Sequence, residues 1–209
     1  MTDFSQLTLD AFLAALSSDA PTPGGGTAAA AAGAMGAALA DMVTALTLSK
    51  EKYASAHEAM RPISEASKLA RTEFLALARE DSEAYDGVVG ARRLPKETDE
   101  QKSARAHKIA VANRHAAEVP MRTARAAVRL LAALPELAEK GNPNAISDVG
   151  AGALLLDACA EGALLNVGIN LPTIEDPVFV AEMQRETAVL QEESQRLRSQ
   201  VVALVRKRF

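Results

Sequence analysis

Residues 27–48 read TAAAAAGAMGAALADMVTALTL. Alanine is the strongest helix former, and the run holds no proline, so it predicts a helix from about Thr27 to Leu48. Small residues, from Ala28 to Gly33 and on through Gly36 and Ala38, cover every face of it. A helix apolar all round is a buried one, so this segment belongs in the middle of a bundle. Its length invites a second reading as a membrane span. Asp41, the glycine and threonine interruptions and the lack of a second candidate span argue instead for the interior of a soluble protein, and no membrane partner is expected. A second segment of the same kind runs from about Ala145 to Asn170, with Gly150, Gly152, Ala153, Ala160, Gly162 and Ala163.

Amphipathic helices surround these two. Leu9, Phe12, Leu13 and Leu16 form a short stripe behind Thr8, a candidate N-cap. A long helix from about Ala54 to Arg92 carries Met60, Ile63, Ser67, Ala70, Phe74, Leu77, Asp81, Ala84 and Val88 at 3–4 spacing, with a kink expected near Pro62. Another, capped by Thr98 or Asp99, runs toward Lys140 and should bend or break at Pro120 and Pro135. Asp176 and Pro177 open a last helix with Met183, Thr187, Leu190, Ser194, Leu197, Val201 and Leu204 on one face. No strand signal appears. The reading is one domain over residues 1–209, an all-α, up-and-down bundle of long helices with two small-residue-rich buried helices.

Composition agrees. Of 209 residues 48% are hydrophobic but only 3% aromatic, a balance that suits helices packed through alanine and leucine rather than strands. Twenty-three basic against 27 acidic residues leave a net charge of −4, which argues against a nucleic-acid partner. One cysteine, Cys159, excludes an intramolecular disulfide and a cysteine metal cluster, and it reads as a small buried apolar residue. His57, His107 and His115 have no metal-ligand spacing, so no metal is expected. Met1-Thr2-Asp3-Phe4 lacks the basic and apolar regions of a signal peptide, which points to the cytoplasm.

Five polar features stand out from this apolar background. Pro21-Thr22-Pro23-Gly24-Gly25-Gly26-Thr27 leads into a helix start, where glycines admit a ligand close to the backbone and free N–H groups favour an anion; a plain helix-breaking turn would look the same. Asp81 occupies a core position, either as a structural hydrogen-bond or ion-pair partner, for instance of Lys52, or as a carboxyl of raised pKa suited to acid–base work. Lys50 and Lys52 are either solvated or placed to meet a substrate carboxylate. Asn142, Asn144, Ser147 and Asp148 cluster at a helix start, where capping is the simpler role. Asn166 and Asn170 share a face of an apolar helix, and Asp148, 18 residues or five turns before Asn166, lies on the same face.

Together these segments resemble the cyclodeaminase/cyclohydrolase family. The glycine segment with Lys50-Glu51-Lys52-Tyr53 is similar to the family's opening. Asp81-Ser82-Glu83-Ala84-Tyr85-Asp86 is similar to its middle, and Gly141 to Asp148 with Leu165 to Asn170 to its last signature. The resemblance implies an all-α homodimer with a tetrahydrofolate derivative in a cleft. It implies that Pro23, Gly24, Gly25, Gly26, Thr27, Lys50, Tyr85, Asn142, Asn144, Ser147, Asn166 and Asn170 line that cleft, and that Asp81 donates a proton, assisted by Lys52 or Asp148.

A lone domain of this kind fits methenyltetrahydrofolate cyclohydrolase, which needs no metal or redox cofactor beyond the folate substrate. The neighbouring expectation is formiminotetrahydrofolate cyclodeaminase. A non-catalytic folate-binding or helical interaction protein is the third.

Overall fold

A computed structural model describes residues 6–208 of the chain, so the N-terminal tetrapeptide read for a signal lies outside the described residues. Among the described residues seven α-helices follow one another: α1 Leu9–Leu16, α2 Gly25–Leu48, α3 His57–Arg92, α4 Asp99–Leu131, α5 Leu134–Lys140, α6 Ile146–Asn170 and α7 Pro177–Arg206. Short 3-10 turns at Glu51–Ala56, Pro143–Ala145 and Leu171–Thr173 join them, and no strand occurs among the described residues. The fold is the expected all-α bundle of long helices.

The caps fall where the side chains predict. Thr8 accepts from the Ala11 N–H, Thr98 and Gln101 form a reciprocal capping box, and Asp176 accepts from the Val178 and Phe179 N–H groups. Pro120 stays inside α4, whereas Pro135 opens the separate α5 after a break at residues 132–133. On α3 the predicted stripe is the core stripe: Met60, Phe74 and Leu77 are fully buried, each such side chain contributing about 2 kcal/mol.

Helix α2 packs on α3 and α6, α4 completes a four-helix ring by packing on α3 and α6, and α7 lies against α6 and α4. The register along α2 shows its neighbours running antiparallel to it. A Cβ at Gly26 would meet Asp81, and one at Gly33 would meet Phe74 at 2.8 Å and Cys159 at 2.7 Å. One at Gly36 would meet Leu156 at 2.9 Å. The small residues are therefore contact points where two neighbours approach the same backbone. Cys159 is buried among them, which pushes its thiol up to about 12.

Helices α2 and α6 are buried on one side only. Met35, Met42 and Leu46 on α2 and Leu154, Leu165 and Ile169 on α6 face outward, the last two 75% exposed. Ala151 and Ala158 continue the outward row of α6. The all-round apolar pattern thus reports two different surfaces, one packed in the bundle and one open. A segment around α6, Pro143–Thr173, is also long and apolar enough to cross a membrane, so the expectation of no second candidate span is corrected. About half of each apolar stretch packs inside the bundle, beside helices whose outer faces are charged.

Candidate functional site

Gly24 is the N-cap of α2, so Gly25 and Gly26 form its first turn rather than a loop before it. No glycine has positive φ. Their role is close approach: a Cβ at Gly26 would lie 2.7 Å from the Asp81 Cγ, and one at Gly25 would lie 3.5 Å from the Asn166 Nδ2. The bare helix start is thus pressed between a carboxyl from α3 and an amide from α6.

The Asp81 carboxylate accepts a hydrogen bond from the Thr27 hydroxyl at 3.0 Å. Thr27 Oγ1 lies 3.2 Å from Ser82 Oγ. Since Thr27 has one hydroxyl proton and gives it to Asp81, Ser82 donates to Thr27. Burial raises the Asp81 pKa, and hydrogen bonds from the Thr27 side chain and backbone only partly oppose it. The alternative of an ion pair with Lys52 is not what holds Asp81.

A cavity of about 350 Å³ opens beside this carboxyl. Its wall includes Gly24, Gly25, Gly26, Asp81, Tyr85, Asn166 and Asn170, all expected from the sequence. Asn166 Nδ2 donates to the Gly162 carbonyl at 2.8 Å, and Asn170 Nδ2 donates to the Ala116 and Asn166 carbonyls, both at 2.9 Å. Each amide is fixed through its nitrogen, which leaves its oxygen for a ligand. Pro23 and Thr27 are buried behind the wall, and Pro21 and Thr22 line it in place of Pro23.

Sequence reasoning missed Arg92 and Asn113, which also line the cavity. Asn113 is buried and donates to the Thr173 carbonyl at 2.9 Å. Arg92 was legible in principle, since Asp81, Tyr85, Val88 and Arg92 share one face of α3 at helical spacing.

The remaining expected residues stand elsewhere. Lys50, Lys52, Asn142, Asn144, Ser147 and Asp148 gather at the far end of α2, whose 24 residues span about 36 Å. Lys52 is exposed, with its ammonium 4.8 Å from the centre of the Tyr53 ring. Asn142 is buried and structural: its Oδ1 accepts from the Tyr53 hydroxyl at 3.0 Å and from the Asn144 N–H at 3.1 Å, while its own N–H donates to Thr47 Oγ1 at 2.9 Å. Asp148 shares a face with Asn166 but lies about 27 Å away along α6. Within one chain the structure does not bring this group to Asp81.

Known proteins resemble this chain in sequence and fold. The family described as Formiminotransferase-cyclodeaminase matches residues 8–189. A methenyltetrahydrofolate cyclohydrolase of Methylorubrum extorquens is 40% identical over 201 residues, covering 96% of this chain and 97% of that protein. A formimidoyltransferase-cyclodeaminase of Gallus gallus is 34% identical over 200 residues, 96% of this chain but 37% of that longer protein. The crystal structure of formiminotetrahydrofolate cyclodeaminase from Thermotoga maritima superposes with a TM-score of 0.87 at 32% identity, covering 97% of this chain and 98% of that one. A family match over most of the chain, with relatives of 34–40% identity along nearly all of it, shows that the chain belongs to the formiminotransferase-cyclodeaminase family.

Proposed function

We propose that this protein is a methenyltetrahydrofolate cyclohydrolase, converting 5,10-methenyltetrahydrofolate and water to 10-formyltetrahydrofolate. The observation that carries the reading is the half-buried Asp81 carboxyl, of raised pKa, in the wall of a cavity of about 350 Å³. The substrate's amidinium carbon takes the lone pair of a water oxygen, and the water loses a proton to the Asp81 carboxylate. The resulting carbinolamine collapses: the bond from carbon to N5 breaks with its electron pair on nitrogen, and Asp81 returns its proton to N5. The hydroxyl proton leaves to solvent as the formyl C=O forms on N10, so one proton is released overall. A carboxyl lifted above the ordinary aspartate value suits both halves of this transfer. The scheme calls on no metal or redox cofactor. Asn166 and Asn170 present amide oxygens to the pterin's N–H edge, and Tyr85 flanks the ring.

The 40% identity to the Methylorubrum extorquens enzyme, against 32% to the Thermotoga maritima cyclodeaminase, favours the hydrolase. The fold likeness to the Thermotoga maritima cyclodeaminase supports a second reading, loss of ammonia from 5-formiminotetrahydrofolate, in which the same carbon occupies the same pocket. Absorbance of the methenyl substrate separates them. Loss above the spontaneous rate supports the hydrolase, and ammonia release from the formimino substrate without that loss overturns it.

The functional unit is proposed to be a homodimer in the cytoplasm. The uncharged outer rows of α2 and α6 need a cover. A bilayer in that place would also immerse the charged outer faces of α3, α4 and α7. A second copy related by a two-fold axis across the helices buries the rows against themselves. It also sets the Lys50, Lys52 and Asp148 end of one copy beside the Asp81 end of the other. All the expected cleft segments then meet, with assistance to Asp81 coming from the partner.

A further inference from the structure

We propose that Arg92 is the binding site for the glutamate carboxylates of the substrate. The inference rests on the folate reading above and names a residue for the part of the ligand farthest from the chemistry. Asp81, Tyr85, Val88 and Arg92 follow one another down a single face of α3, and all four line the cavity. From Asp81 to Arg92 the helix advances about 16 Å. A pterin, an aminobenzoyl ring and a glutamate laid end to end need a comparable length. The order of chemistry along the wall matches the order along the ligand: carboxyl and amides at the pterin, an aromatic and a branched aliphatic side chain at the benzoyl ring, a cation at the acid.

Arg92 is free to serve. Its guanidinium has no hydrogen-bond or ion-pair partner among the described residues. Its neighbour Arg105 is committed, donating through Nε and Nη2 to the Arg92 carbonyl, at 3.2 and 3.0 Å. Arg114 pairs with Glu118 and Asp176 and lies over the Phe179 ring. The Arg105 contact fixes the backbone from which Arg92 projects. A guanidinium meets a carboxylate with two parallel N–H···O bonds, a geometry that lysine does not reproduce. Lys50 and Lys52, the cations first expected to meet an anion, stand at the other end of the chain's own bundle.

The test uses equilibrium binding of tetrahydrofolate and of its diamide, in which both glutamate carboxylates are neutralised as amides. Wild-type protein is expected to bind the diacid about tenfold more tightly than the diamide. R92Q is expected to bind the diacid about tenfold more weakly and the diamide unchanged, with R92K recovering part of the loss. In turnover the same variant raises KM for the diacid and keeps kcat within about twofold. Equal weakening of both ligands by R92Q, or no weakening of either, overturns the assignment. So does a diacid-selective loss that appears in K50A or K52A but not in R92Q. Binding reads Arg92 whether or not the protein turns over methenyltetrahydrofolate, so failure of the cyclohydrolase reading and failure of this assignment are separate results.

Discussion

The α-carbon of Gly26 faces the Asp81 carboxyl so closely that a methyl group on it would sit 2.7 Å from the carboxyl carbon. Asp81 is therefore placed by what Gly26 lacks. G26A must push the carboxyl out of its position or open the α2–α3 contact. Overpacking of this kind costs about 1–3 kcal/mol, and a displaced acid–base group costs about a hundredfold in rate. G25A, whose new methyl group would lie 3.5 Å from the Asn166 amide, makes an ordinary contact and should melt close to wild type, with any loss of rate traced to the methyl group in the cavity wall rather than to a displaced Asp81. Steady-state assays and thermal melts on the two variants check the contrast, and equal behaviour would sink it.

The half-buried carboxyl also has a signature in stability. In the folded chain Asp81 binds its proton more tightly than in the unfolded one, because burial disfavours the charged form. The stability this contributes is fully present below the unfolded value of 3.8 and is lost as pH rises through the raised folded value. Above that point the wild type carries a partly desolvated carboxylate, which D81N does not. D81N should therefore gain in melting temperature relative to wild type on going from pH 4 to pH 8, while losing at least about a hundredfold in turnover. Melts at the two pH values decide; a difference that does not change with pH would contradict the burial account.

What was legible in the sequence follows from how far each signal reaches. The 3–4 spacing that placed Asp81 among Met60, Phe74 and Leu77 is a local property of one helix, and the structure keeps it. The pairing of Asn166 with Asn170 is local in the same sense. Asp148 shows the limit: a shared helix face says nothing of distance along it, and five turns separate two ends of the bundle. Asn142 shows another, since a capping amide and a ligand-binding amide have the same sequence signature. Arg92 was passed over because a basic residue in the last turn of a helix already has an explanation in the helix dipole. The half-open state of α2 and α6 was hidden because their outward and inward faces are made of the same residue types.

That open face makes a prediction of its own. Met35 and Leu154 are each 51% exposed, on α2 and α6. If a second copy covers them, a charge at either position is buried in a site with no partner for it. M35E and L154E should shift the protein from dimer to monomer by light scattering, with the helical content by circular dichroism kept. A wild-type chain that is monomeric at micromolar concentration would remove the basis for the shared site.

Shared sites have a stricter test, because each active centre would take Asp81 from one copy and Lys52 from the other. Alone, D81N and K52A should both be inactive, since every site in either homodimer lacks one group. When the two variants are unfolded together, mixed and refolded, about half of the dimers formed at random contain one chain of each kind. Such a heterodimer has one centre with both substitutions and one with neither. Activity should return to about a quarter of the wild-type value per chain, because half of the dimers carry one intact centre out of two. If instead Asp81 and Lys52 act within the same chain, every centre in the mixture stays damaged and no activity returns. The 36 Å or so between the two ends of α2 makes the first outcome the expected one.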